Sequence, residues 1–160
     1  MSIPGSPISP HGDGLLPRIQ GKCPPVVRPA AVRIRGGFEI EAHLLLRPVP
    51  ASAGIARRFV AETMTSWGCE ALVDVIILLV SEVVTNAVLH ARSDVELRLV
   101  GERDHMRVEI SDSCALVPVL RERSEDAMTG RGLQLVAQLA SSWGVSERVD
   151  GKTVWFELAA

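Results

Sequence analysis

Phe38, Ile40, Ala42, Leu44 and Leu46 alternate with Glu39, Glu41 and His43. A period of two predicts a strand with one buried face. Pro48 and Pro50 end it. Helical spacing follows from about Ala51 to Trp67, closed by Gly68, and again from about Glu70 to Ala91. Two short alternating segments come next, Val95–Val100 and Met106–Ser111, with Gly101-Glu102-Arg103-Asp104 as a hairpin connection. A stretch containing Pro, Arg and Ser, 114–129, precedes a helix predicted from Gly130 to about Trp143. Val145–Val149 and Thr153–Leu158 close the chain as strands joined by Asp150-Gly151. Hairpin-joined strands pair antiparallel, and three helices need one surface to bury on. The pattern therefore predicts an α/β (α+β) two-layer sandwich, a mostly antiparallel sheet covered on one face by three helices.

Composition divides the 160 residues unevenly. Residues 1–35 hold seven of the ten prolines and five basic residues (Arg18, Lys22, Arg28, Arg33, Arg35) against one acid, Asp13. So Pro-rich a segment buries too little apolar surface to offset its ordering entropy, and it reads as a disordered basic arm. The remaining residues, 36–160, form the predicted domain. It carries 12 of the 17 basic and 18 of the 19 acidic residues, so the total of −2 conceals a domain at −6. That balance argues against direct nucleic-acid binding, as do aromatics at 4% and the lack of any tyrosine. The longest apolar run, Val75–Val80, is shorter than a membrane span, and the arm lacks the apolar stretch of a signal peptide. Cys23, Cys69 and Cys114 are few, odd in number and widely spaced, which fits a reducing cytoplasm.

Three places could carry chemistry. Glu82, Asn86 and His90 recur every fourth residue in the second helix, on one face with a drift of about 40° per step. A carboxylate there can accept a proton, and a carboxamide oxygen suits a hard cation. The same stripe also reads as the solvent edge of an amphipathic helix. Asp112 falls on the inward parity of Met106, Val108 and Ile110. An inward carboxylate needs a partner, either a ligand's amino group or the backbone of the following loop. Gly130-Arg131-Gly132-Leu133 opens the third helix. The glycines serve either as a hinge or as an anion site at the helix N-terminus. The 16-residue stretch before it, with Arg121 and Arg123, has the length of a binding loop or lid.

Together these segments resemble a known family. Ser81-Glu82-Val83-Val84-Thr85-Asn86-Ala87-Val88-Leu89-His90-Ala91 resembles the N-box of the GHKL ATPases, most closely the anti-sigma-factor serine kinase branch of the histidine-kinase-like ATPases. Glu109-Ile110-Ser111-Asp112-Ser113 is similar to the strand bearing the family's adenine-binding aspartate. Gly130-Arg131-Gly132-Leu133-Gln134-Leu135-Val136 resembles its lid motif, and Gly151-Lys152-Thr153-Val154-Trp155-Phe156-Glu157-Leu158 its terminal strand. The resemblance spans about residues 39–158 and implies that fold.

It further implies ATP and Mg²⁺ as ligands, Glu82 as general base toward a protein serine or threonine, and Asn86 as the Mg²⁺ ligand. Asp112 would bind the adenine amino group. Gly130, Arg131, Gly132 and Leu133 would form the phosphate-side lid, with His90 beside the nucleotide or in a structural hydrogen bond. The implied partners are a sigma factor and an anti-sigma-factor antagonist, making the protein a regulator of transcription in the cytoplasm, without a membrane. Homodimers are typical of the family. The chain departs from the family's Asp-x-Gly-x-Gly, because Cys114 and Leu116 stand at the glycine positions. The alternative is therefore a catalytically inactive, ATP-binding or nucleotide-free module acting by protein–protein contact.

Overall fold

The computed structural model describes residues 26–30, 33–34, 37–38, 40–102, 105–114 and 131–159. The elements run β1 (Val26–Ala30), β2 (Arg33–Ile34), β3 (Gly37–Phe38), β4 (Ile40–Leu46), α1 (Ser52–Trp67), α2 (Val73–Ala91), β5 (Val95–Glu102), β6 (His105–Asp112), α3 (Arg131–Leu139), β7 (Ser142–Arg148) and β8 (Gly151–Ala159). Six strands form one sheet in the order β1-β4-β5-β6-β8-β7, and each of these pairings is antiparallel. β2 and β3 pair separately. The helices form the second layer, with α2 packed against α1, α3, β5 and β6. The two-layer sandwich predicted from the pattern is the fold observed.

Parity explains the sheet. Ala42, Leu44 and Leu46, then Val95, Leu97 and Leu99, then Met106, Val108 and Ile110, then Val154, Phe156 and Leu158 all face the helices and are buried. α1 contributes Ala56, Phe59, Val60 and Met64. It ends at Gly68, where φ is 70°, with the Gly68 N–H bonded to the Thr65 carbonyl and the Cys69 N–H to the Met64 carbonyl. That pairing satisfies carbonyls the last turn would leave open. The stretch Glu70–Ala91, an opening 3₁₀ turn and α2, contains an 18-residue window with a mean hydropathy of 2.2 and is long and apolar enough to cross a membrane. In this fold the apolarity serves packing, with Ile76, Leu79, Val80, Val83, Val84 and Ala87 buried.

Four boundaries differ from the sequence reading. Val26–Ala30, inside the segment read as a disordered arm, pairs with Leu45–Glu41 at the edge of the sheet. β1 is an edge strand, and edge strands are where a proline such as Pro29 is tolerated. Residues 1–25 lie outside the described residues. β5 continues through Gly101 and Glu102, which pair with Met106 and His105. Ile40 packs where a Gly101 side chain would stand, 2.8 Å from its Cβ position. The third helix ends at Leu139 rather than Trp143, since the Ser141 N–H bonds the Glu157 carbonyl and Trp143 pairs with Phe156 in β7. Finally, the last hairpin turns at Val149-Asp150, and Gly151 is already in β8 opposite Arg148.

The sheet face away from the helices carries charge in alternation. Arg98 Nε is 2.5 Å from Glu41 and its Nη1 3.0 Å from Glu109. Arg107 reaches Glu109 at 2.7 Å and Glu157 at 2.6 Å, and lies 4.2 Å over the Trp155 ring. His43 bonds Glu41, and Ser142 donates to Glu157 at 2.6 Å. The Arg98 bond, with smaller help from His43, holds the Glu41 carboxyl below its ordinary value although burial opposes it. Burial also opposes the shift of Glu109, but its two arginine bonds prevail and lower it. The Ser142 hydroxyl first, and Arg107 next, lower Glu157.

Candidate active site

The site is built where α3 begins against the second half of α2. Glu82 and Asn86 stand one turn apart on α2, both half-buried. Gly132, in the first turn of α3, is pressed against them. A Cβ placed on it would lie 2.9 Å from Asn86 Nδ2 and 3.0 Å from Glu82 Cβ. A side chain here would press on the Asn86 amide and on Glu82, so the glycine lets the two helices approach closely and brings the opening turn of α3 onto the polar stripe. N–H groups of an opening turn have no partner within the helix, and the positive end of the helix dipole lies there. A carboxylate, a carboxamide and a helix N-terminus thus converge.

His90 lies one turn beyond Asn86, exposed, in the last turn of α2. A helix C-terminus favours a cation, so this placement has a structural use of its own. Leu133, grouped by the resemblance with the ligand-binding residues, is 7% exposed and belongs to the hydrophobic core. Its side chain anchors α3 to the core. Gly130 lies outside the described residues, as do Arg121 and Arg123. Arg131 is the first residue of α3.

Asp112 ends β6 on the inward face, as its parity predicts, and is 7% exposed. Its partner is a residue the sequence reading missed. Lys152 of β8, 6% exposed, sits directly across the ladder with Nζ 2.9 Å from Asp112 Oδ1. The signal was present in the sequence. Lys152 shares the inward parity of Val154, Phe156 and Leu158, so two opposite charges were both due inside. The Cys114 N–H also donates to Asp112 Oδ1, at 2.8 Å, and Lys152 reaches the Cys114 carbonyl at 3.1 Å. Of the two partners open for Asp112, the backbone of the following loop is present, and a lysine holds the carboxylate with it.

The donor set suits Mg²⁺ better than a transition metal. No group of three or more His, Cys, Asp or Glu with metal-ligating placement occurs among the described residues. Mg²⁺ takes one or two protein oxygens and completes its shell with phosphates and water, and the Asn86 carboxamide has one such oxygen to offer.

Residues 46–158, more than half of the chain, match the family model for the histidine kinase-like ATPase domain. The chain belongs to that family, whose membership supports an ATP-binding regulatory role. It is similar to the histidine kinase domain of the blue-light activated histidine kinase from Erythrobacter litoralis EL346, at 28% identity with a TM-score of 0.37. That similarity covers 54% of this chain and 43% of the kinase chain, so the present chain spans less than half of it. No curated protein matches the sequence.

Proposed function

We propose that this protein is an anti-sigma-factor-type serine/threonine-protein kinase that binds ATP and Mg²⁺ and phosphorylates an antagonist protein. It would act in the cytoplasm, holding a sigma factor and so controlling transcription. The observation that supports the reading is the junction of Glu82, Asn86 and Gly132, where a carboxylate, a carboxamide and the first turn of a helix meet. Asn86 would hold the metal, which when bound neutralises phosphate charge. The opening turn of α3 would receive the phosphates through N–H groups that have no partner within the helix. Glu82 would take the proton of the antagonist's serine or threonine hydroxyl as that oxygen bonds to the γ-phosphorus and the bond from phosphorus to the ADP oxygen breaks. Most of the acceleration in such transfers comes from positioning and charge stabilisation.

The test is incubation of the full chain with labelled ATP and a candidate antagonist. Removing a general base lowers the rate by about 10²–10⁴-fold, so Glu82→Ala should abolish measurable labelling while ATP titrates normally. Labelling as fast as the parent would show that Glu82 is not the base.

One observation favours a second reading, a nucleotide-binding or nucleotide-free module acting by contact alone. Cys114 stands half-buried where the family has a glycine, and Asp112 already holds two internal bonds. Calorimetric titration with ATP and Mg²⁺ separates the two: no heat of binding leaves only the interaction role.

A further inference from the structure

No step above uses the buried charge pair at the end of the β6·β8 ladder. The side chains of Lys152 and Asp112 are 7% and 2% exposed. Lys152 Nζ, Asp112 Oδ1 and the peptide groups of Cys114 close a ring of three bonds, at 2.9, 2.8 and 3.1 Å. Gly151 makes this ring possible. A Cβ on it would fall 1.9 Å from the Asp112 carbonyl oxygen, so only glycine lets β8 begin close enough to set Lys152 opposite Asp112.

We propose that Lys152 is a positioning residue that sets base specificity: it fixes the Asp112 carboxylate through Oδ1, so that Oδ2 accepts a hydrogen bond from the amino group of an adenine base. This rests on the nucleotide reading of Asp112 given above. The pair is not a latch that the base must open. Separating a buried ion pair leaves two uncompensated charges, which would lower nucleotide affinity by about 100-fold or more. The base therefore meets the pair as it stands. Lys152 also does what the absent glycines cannot. Where the family's glycine positions carry Cys114 and Leu116 in this sequence, the ammonium holds the carboxylate from the opposite strand. It further neutralises that carboxylate, so that an acidic domain need not oppose the charge of a triphosphate at this point.

The probe is inosine triphosphate, in which a carbonyl replaces the amino group of the base. A hydrogen bond to a charged acceptor is worth roughly tenfold or more in binding. The full chain should bind ATP at least about tenfold more tightly than inosine triphosphate by calorimetry. In Lys152→Met the carboxylate loses its anchor, and the ratio should fall to within about threefold. Thermal melting confirms that the variant is folded. Should it not fold, Lys152→Ala, which also removes the ammonium and leaves room for water beside the carboxylate, is read for the same ratio. A merely structural lysine lowers both affinities alike, so an unchanged ratio in the variant overturns the proposal, and so does a rise in ATP affinity. If the parent binds neither nucleotide, or both equally, the nucleotide reading of Asp112 itself falls, and the proposal with it.

Discussion

Gly151→Ala perturbs the structure at a point where nothing can yield. The added methyl would stand 1.9 Å from the Asp112 carbonyl oxygen and 2.7 Å from Ser113 Cα, both backbone atoms. Ordinary carbon–oxygen contacts are longer by more than 1 Å, so no rotamer change relieves the overlap. The residue also sits at a φ of 155°, which a side chain rarely adopts. The first pairs of β8 must therefore separate from β6, taking Lys152 away from Asp112. Losing one partner of a buried ion pair costs about 3–5 kcal/mol, against a total stability of about 5–15 kcal/mol for a domain. For a domain of this size each kcal/mol moves the melting temperature by roughly 3–5 °C, so a fall of roughly 10–20 °C is expected by calorimetric or circular-dichroism melting. Gly68→Ala is the control. Its φ is 70°, but its Cβ position has no atom within 4 Å, so it should cost only about 1–2 kcal/mol. A Gly151→Ala protein that melts no lower than Gly68→Ala would refute the argument that contact with Asp112 makes this glycine necessary.

Gly132→Val tests the helix junction separately from stability. Its branched side chain must displace Asn86 and Glu82, so ATP·Mg²⁺ affinity should fall by at least about tenfold, while the loss of fold stability stays near the 1–3 kcal/mol typical of overpacking. Equal ATP affinity in parent and variant would mean that the junction does not hold the nucleotide. Acid should weaken the outer face of the sheet. The carboxyls of Glu41, Glu109 and Glu157 lie below their ordinary value in the folded chain. Their contribution is therefore complete above the unfolded value of about 4.3 and disappears as pH falls through the folded values. Arg98→Met, which removes the bonds to Glu41 and Glu109, should melt below the parent at neutral pH, with a gap that closes as pH falls below the ordinary carboxylate range. A gap that stays constant over that range would deny the ionised pairs any part in it.

Much of the fold was legible because period two and period 3.6 report which face is buried. The misreadings have particular causes. Trp143 continues the helical spacing of Leu133, Val136 and Leu139, but strand β8 offers its edge from Ser142 onward, and pairing outweighs local periodicity. Gly101 looks like a turn residue, whereas it is a strand position shaped by Ile40. At the site, helical spacing placed Glu82 and Asn86 together, because four-residue spacing is local geometry. That Gly132 meets them is a tertiary fact about how α3 crosses α2, carried in the sequence only by the family resemblance. Leu133 shows the converse, since membership of a motif did not say which of its side chains belong to the core. Lys152 was legible by parity but was passed over, because a lysine in a strand is ordinarily taken to face water.

The charge alternation across β4, β5, β6 and β8 also decides what this sheet cannot become. Another sheet or an apolar helix laid over that face would have to strip water from two arginines and three glutamates whose hydrogen bonds already point at one another. Desolvating such groups without offering new partners is steeply unfavourable. The ladder therefore acts as a terminator of layering: it ends the stack at one sheet and one helical layer, and directs any apolar association toward the helical side.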